Sequence, residues 1–288
     1  MTLSSRKRVD GGLRAILLLT AFVSLAAVIL ITLYLFSEGI PAFRTIPLGE
    51  FLFSSDWSPS AAEPHYGIAV FVEASLVVTV LALLLATPFS LSAAIYLALL
   101  SKGWKRDVIK TGVSLLAGIP SVIFGLFGIA VIVPMVRIIW GGNGYSLLSA
   151  ALILAIMIMP TIINVTEVSL ASVDHTLHEA SYGLGATRTQ TIFKVIIPAA
   201  RQGIVSAFLL GLGRAVGETT AVLLVGGNAP LAFHRLTDMG RTLTMNIVTD
   251  MGYAEGTHMQ ALFATAMLLY LCILVSNGLV VIIARRKQ

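Results

Sequence analysis

The sequence predicts an all-α, polytopic membrane protein with six transmembrane helices. Three observations carry that expectation: 57% of the 288 residues are hydrophobic, only 11% are charged, and the apolar residues gather into six long runs. An average soluble domain carries roughly 25% charged residues. The mean hydropathy of +0.93 is more than a globule could hide, because even a large single domain buries only about 75% of its unfolded surface. A hydrophilic enzyme, a disordered tail and a nucleic-acid binder are excluded on this ground. The one cysteine, Cys272, sits in an apolar run, so neither an internal disulfide nor a cysteine metal site is available.

A helix needs roughly 20 apolar residues to cross about 30 Å of hydrocarbon. The qualifying runs are approximately 15–36, 68–100, 108–140, 147–171, 203–227 and 259–284. The first follows Arg6, Lys7 and Arg8 but is longer than the ~7–15 residues of a secretory signal core, so it reads as an uncleaved signal-anchor. The second contains Pro88 and the third Pro120 and Pro134. These helices are expected to kink or pause where neighbouring protein satisfies the freed carbonyls. The third run counts as one span.

Lysine and arginine then orient the chain. With the N-terminus inside, the inner segments hold Arg6, Lys7, Arg8, Arg14, Lys102, Lys105, Arg106, Lys110, Arg188, Lys194, Arg201, Arg285, Arg286 and Lys287, fourteen of nineteen. The outer segments hold Arg44, Arg137, Arg235 and Arg241. The positive-inside rule puts both termini in the cytoplasm of a multi-pass protein. The organisation expected is an N-terminal anchor helix and outer loop over 1–67, then a transmembrane domain over 68–288 with a cytoplasmic loop at 172–202. Membrane lipid is the surrounding partner, and no nucleic-acid partner is expected.

Several chemistries are missing. A P-loop needs a lysine after glycine to cradle phosphates, and none of the six lysines follows one. The chain therefore cannot hydrolyse ATP by that route. No His-Glu-x-x-His pair occurs. Asp174, His175, His178 and Glu179 have helical spacing that a metal could use, but a solvated helix start explains them better. His234, Asp238 and His258 are read the same way, and no metal or cofactor is expected.

Two segments stand out. In the inner loop, Glu179-Ala180-Ser181 is followed by Gly185 and then by Val195, Ile197 and Pro198. Gly185 allows a sharp turn that a Cβ would resist. Ile192, Val195 and Ile196 predict an amphipathic second helix ending at the approach to Pro198. Such a displayed helix–turn–helix, with small residues and an apolar edge, suits insertion into a partner's cleft.

The other segment lies in the fifth run, Gly211-Leu212-Gly213-Arg214-Ala215-Val216-Gly217-Glu218. Arg214 stands about 16 Å along that helix from Gly203, near the bilayer midplane. A charge there costs at least about 2.5–3.5 kcal/mol and should face the bundle interior. A continuous helix would place Glu218 one turn on, on the same face. Two roles are open: an intrahelical ion pair that locks packing, or a guanidinium fork that meets an oxyanion while Glu218 accepts a hydrogen bond from its protonated form.

The inner loop resembles the EAA loop of ABC importer permeases, Glu-Ala-Ala, three residues, Gly, nine residues, Ile-x-Leu-Pro. Ser181, Val195 and Ile197 are mild departures. The fifth run resembles the phosphate-specific ABC importer permeases, with their Gly-Arg-Ala-x-Gly-Glu-Thr pattern. The segments 117–122 and 157–160 and Gly125 add to that likeness, and Thr220-Ala221-Val222 and the Trp57-x-Pro59 pair look more like the PstC-type than the A-type subunit. The resemblance implies the type I ABC importer permease fold and a transport subunit that is not itself an enzyme, in a bacterial inner membrane. It implies as partners an A-type permease subunit in a heterodimer, two copies of an ATP-binding subunit and a periplasmic phosphate-binding protein. On this likeness Glu179, Ala180, Ser181, Gly185, Val195, Ile197 and Pro198 would couple to the ATPase, and Arg214 and Glu218 would meet phosphate. Ser121 and Gly125, four apart, are expected at a subunit seam or gate, or in core packing. A permease for sulfate or molybdate, and a proton-coupled secondary anion transporter, are the alternatives.

Overall fold

The computed structural model describes the backbone of residues 3–285, and the side chains of these except 3–12, 15 and 279–285. Arg286 and Lys287, used above for orientation, lie outside the described residues, and the side chains of Arg6, Lys7, Arg8 and Arg285 lie outside the described set.

The chain opens with α1 (Leu3–Gly39), a short 3-10 turn and α2 (Leu48–Phe53). A two-residue hairpin follows, β1 (Trp57–Ser58) antiparallel to β2 (His65–Tyr66). Next come α3 (Ala69–Ile95), α4 (Trp104–Gly118), α5 (Ser121–Phe127), α6 (Val133–Trp140) and α7 (Leu147–Ala171). The loop holds α8 (His175–Gly183), α9 (Arg188–Thr191) and α10 (Ile197–Ala199). The remainder is α11 (Arg201–Gly217), α12 (Thr220–Val225), α13 (Leu243–Asp250) and α14 (Gly256–Arg285).

Among the described residues five helical stretches are long and apolar enough to cross a membrane alone: Ile16–Arg44, Ala69–Leu100, Ser121–Trp140, Leu147–Ala171 and Gly256–Gly278. A sixth crossing arises if Arg188–Ala199 and Arg201–Gly217, bent by 68°, form one span. The architecture is an all-α permease bundle, as the sequence predicts.

The core lies between α3 and α7, the most extensively packed pair. Ala74, Val78, Ala82, Ala86, Ser90 and Ala94 recur every four residues along α3, and all are buried. Small side chains at that spacing let two backbones approach closely, where dispersion and not a hydrophobic force must hold membrane helices together. Pro160 is buried within α7 without ending it, and Pro88 is likewise inside α3. The expected pause occurs at Pro120 instead, where Ile119 and Pro120 turn extended between α4 and α5.

Two π-turns, Gly128–Ile132 and Ile192–Ile196, end two residues before Pro134 and Pro198. A proline has no N–H for the carbonyl four residues back and its ring collides with that carbonyl, so a locally wider turn relieves the conflict. The inner helix therefore runs past Pro198 and breaks at Ala200, later than the sequence predicts.

The N-terminal part is attached at one end of the bundle. Residues 42–71 share a buried cluster with residues 243–264, centred on Phe51, Trp57, Phe71 and Leu262. The first amides of α7 bond outside their own helix: Ser146 N–H to Val225, Leu147 N–H to Asp238 and Leu148 N–H to Leu236. The otherwise orphaned start of a helix is satisfied in this way by chain from elsewhere.

Candidate transport site and coupling loop

The loop between α7 and α11 is built from local capping chemistry. Asp174 accepts the Thr176 amide at 2.9 Å and caps α8. Hydrogen bonds from Thr176 hold its carboxyl below the usual range, which accords with a capped helix start. The His175 and His178 rings lie tilted against each other with centroids 5.6 Å apart. Gly185 has φ +81 and receives the chain from α8, its amide bonded to Tyr182. Glycine adopts this left-handed conformation without the steric cost a Cβ brings. Thr187 and Gln190 then form a capping box for α9.

Ser181 is buried, and its hydroxyl meets that of Thr191 at 2.9 Å, joining the two halves of the loop. Glu179, Ala180, Gly185 and Pro198 are exposed, and Val195 and Ile197 are half-buried. The expected apolar edge differs from the observed one. Ile192 and Ile196 pack inward, because the π-turn carries them against the bundle. Leu177, Tyr182, Leu184 and Phe193 face outward instead, Leu184 at 90% exposure.

The fifth run is not a continuous helix. α11 ends at Gly217, Glu218 is extended (φ −74, ψ 134), and α12 starts at Thr220. Glu218 Oε1 accepts the Ala221 amide at 3.0 Å and so caps α12. Its own carbonyl accepts the Thr244 hydroxyl at 2.9 Å. Arg214 donates through Nη1 to the Thr161 hydroxyl on α7, at 3.0 Å. The intrahelical ion pair that an unbroken helix would allow is absent among the described residues. A carboxylate just ahead of a helix start satisfies orphaned amides and favours the positive helix end. The Gly217-Glu218-Thr219 sequence carries that stop-and-cap signal. Beside Glu218 a crevice of about 10 Å³ is lined by Ser75, Thr79, Thr242 and Thr244 among apolar neighbours; that is about the room of one water.

Gly125 packs within the chain. A Cβ there would lie 2.4 Å from the Leu224 side chain and 3.2 Å from Ala221. Of the two places expected for it, it takes core packing, against α12, and it supports the broken span directly.

Two charged clusters escaped the sequence reading. Glu167, 2% exposed on α7, accepts Arg106 Nη2 at 2.9 Å and Lys110 Nζ at 2.8 Å, both from α4. At the opposite end of the bundle Asp250, also 2% exposed, accepts Trp57 Nε1 at 2.9 Å, Arg241 Nη1 at 3.1 Å and Tyr253 OH at 2.7 Å. His258 Nε2 lies 3.3 Å from the same carboxylate. Burial pushes the Asp250 carboxyl up, but the hydrogen bonds from Tyr253 and Trp57 and the Arg241 charge outweigh it and hold it below the usual range. His234 and Asp238 form no site with His258. Asp238 accepts the amides of His234 and Arg235, each at 2.9 Å, within one turn. An acid inside the run 147–171 was the one available sign of Glu167; nothing local marks Asp250.

A bundle of broken spans with a helix–turn–helix displayed at one end defines a membrane permease component. Residues 86–288 match the family model of the binding-protein-dependent transport system inner membrane component, and the chain belongs to that family. It is 38% identical over 243 residues to a probable ABC transporter permease, YqgH, of Bacillus subtilis, covering 83% of this chain and 79% of that protein. It is 34% identical over 241 residues to the phosphate transport system permease protein PstC of Pasteurella multocida, covering 77% and 75%. A chain of the bacterial alginate ABC transporter, crystallised with an alginate pentasaccharide-bound periplasmic protein, has the same fold. The TM-score is 0.66 at 18% identity, covering 99% of this chain and 98% of that one.

Proposed function

We propose that this chain is the PstC-type permease subunit of an ATP-driven importer of inorganic phosphate, with Arg214 and Glu218 on the phosphate pathway. The observation that carries this reading is that Arg214, inside a span, has a neutral hydroxyl as its hydrogen-bond partner and no carboxylate in ion-pair range among the described residues. An unneutralised guanidinium in low dielectric is a strong attractor for an oxyanion, which it meets with a planar pair of donors. Glu218, freed from ion pairing, presents a carboxylate that accepts a hydrogen bond from a protonated oxyanion such as phosphate. The names of the PstC relatives support the substrate.

In this reading the chain pairs with an A-type permease subunit, with two copies of an ATP-binding subunit and with a periplasmic phosphate-binding protein. The loop 172–202 docks on the ATPase through the exposed faces of Glu179, Ala180 and Gly185 and the outward Tyr182 and Leu184. Ser181, Val195, Ile197 and Pro198 shape its base. Both termini lie in the cytoplasm, and the Asp250 cluster faces the binding protein.

The test is labelled-phosphate uptake at low external phosphate, in cells lacking the gene and in complemented cells, with sulfate and molybdate as competitors. Uptake restored by the gene, lost without the ATPase and insensitive to the competitors is the expected result. Restoration without the ATPase would instead make the chain a secondary transporter, and competition by sulfate would move the substrate to another oxyanion.

A further inference from the structure

The loop end of the bundle contains a cavity that the transport reading does not use. It has a volume of about 350 Å³ and lies between the end of α3, the start of α4, the end of α7 and the loop helices α8 and α9. That volume is within the ~300–1,000 Å³ of ligand sites. Lys102, Arg106, Arg188, His175, His178 and Tyr182 supply its polar wall, and no aspartate or glutamate lines it.

Two of the cations are held in place by the fold. Arg188 Nη2 donates to the Leu99 carbonyl at 2.6 Å, and Arg106 Nη2 to Glu167 at 2.9 Å. A guanidinium has five N–H donors, so each retains others. Lys102 has no hydrogen bond or ion pair among the described residues. The charges do not cancel: Arg106 and Lys110 share the single carboxylate of Glu167, while Lys102 and Arg188 have no acidic partner among the described residues. Asp107, Asp174 and Glu179 adjoin lining residues in sequence but do not line the cavity, and Asp174 caps α8 and lines the neighbouring cavity instead.

We propose that this cavity binds a phosphate group and that its occupant props the coupling loop against the spans. Fixed guanidinia and a free ammonium lining one space match the several oxygens of a phosphate and its negative charge. Two sources carry that chemistry: inorganic phosphate in solution, and the headgroup of an anionic lipid, for which basic pockets between membrane helices are suited. The exposed Tyr96 and Trp104 near Lys102 are residues of the kind found at the membrane–water boundary. The site is separate from Arg214 and does not depend on which solute crosses the membrane.

The experiment uses the full chain carrying Arg214→Gln, so that the span site contributes no phosphate binding, in phosphatidylcholine nanodiscs. One arm titrates inorganic phosphate and the other replaces part of the phosphatidylcholine with phosphatidylglycerol, each followed by the thermal unfolding midpoint. A ligand that binds the folded state raises that midpoint. The expected result is a rise in at least one arm, with Lys102→Gln requiring about tenfold more ligand for the same rise, and Lys105→Gln, a lysine outside the cavity, requiring no more. A rise with phosphate assigns the free anion, and a rise with phosphatidylglycerol alone assigns the headgroup. No rise in either arm, or equal responses of Lys102→Gln and Lys105→Gln, overturns the proposal.

Discussion

Glu218 stands one residue beyond the helix that carries Arg214, and its carboxylate accepts the Ala221 amide at 3.0 Å while the guanidinium donates to Thr161. The two charged side chains are thus held by different partners on either side of a break in the span. An anion arriving there would compete with a neutral hydroxyl for Arg214, which costs less than displacing a carboxylate.

Arg214→Gln is expected to abolish phosphate uptake while leaving the subunits able to copurify, since it removes a single hydrogen bond between a charged donor and a neutral hydroxyl, worth about 1.5–3 kcal/mol. Glu218→Gln keeps an oxygen for the Ala221 amide and should assemble normally with reduced uptake. Uptake assays and copurification on the same membranes separate these outcomes from a purely structural role, in which assembly would fail as well.

The turn at Gly185 gives a prediction graded by backbone chemistry. With φ at +81, a β-branched residue is strained by roughly 1–2 kcal/mol, whereas asparagine tolerates this region better. Gly185→Val should therefore reduce copurification of the ATP-binding subunit and uptake together, and Gly185→Asn should retain more of both. Gly185→Asp adds a charge to the displayed tip and should release the ATPase. Equal binding by all three would remove the docking role from this turn.

Asp250 links acid stability to the end of the bundle away from the loop. Its carboxyl titrates below the usual range in the folded state, so its stabilisation is fully present above about pH 4 and fades as pH falls through the folded value. Asp250→Asn leaves Arg241, 9% exposed, without its counter-charge, and breaking a buried pair from one side costs about 3–5 kcal/mol. Unfolding midpoints of the wild type and Asp250→Asn should differ most near pH 7 and converge on acidification. A gap that stays constant below pH 4 would mean that the carboxylate charge is not what the cluster uses. Trp57→Phe should lower the midpoint less, because it removes one hydrogen bond and keeps most of the aromatic packing.

The sequence by itself determined what depends on composition and local spacing. Apolar runs long enough to span, the loop with Gly185 at its turn, the cap at Asp174 and a cation inside the fifth run are all set by neighbours within a few positions. Each is visible because helix periodicity, capping and turn conformation are local effects. Tertiary structure decided the rest. Pro88 stays inside a helix while Pro120 interrupts one, and which loop residues face outward depended on the π-turn before Pro198. Arg106 meets Glu167 across 61 positions and Trp57 meets Asp250 across 193. A buried carboxylate takes the donors that packing brings to it, and no spacing along the chain records which those will be. Even Glu218, four residues from Arg214, was assigned by the fold, because the amides of the next helix were nearer to its carboxylate than the guanidinium one turn behind.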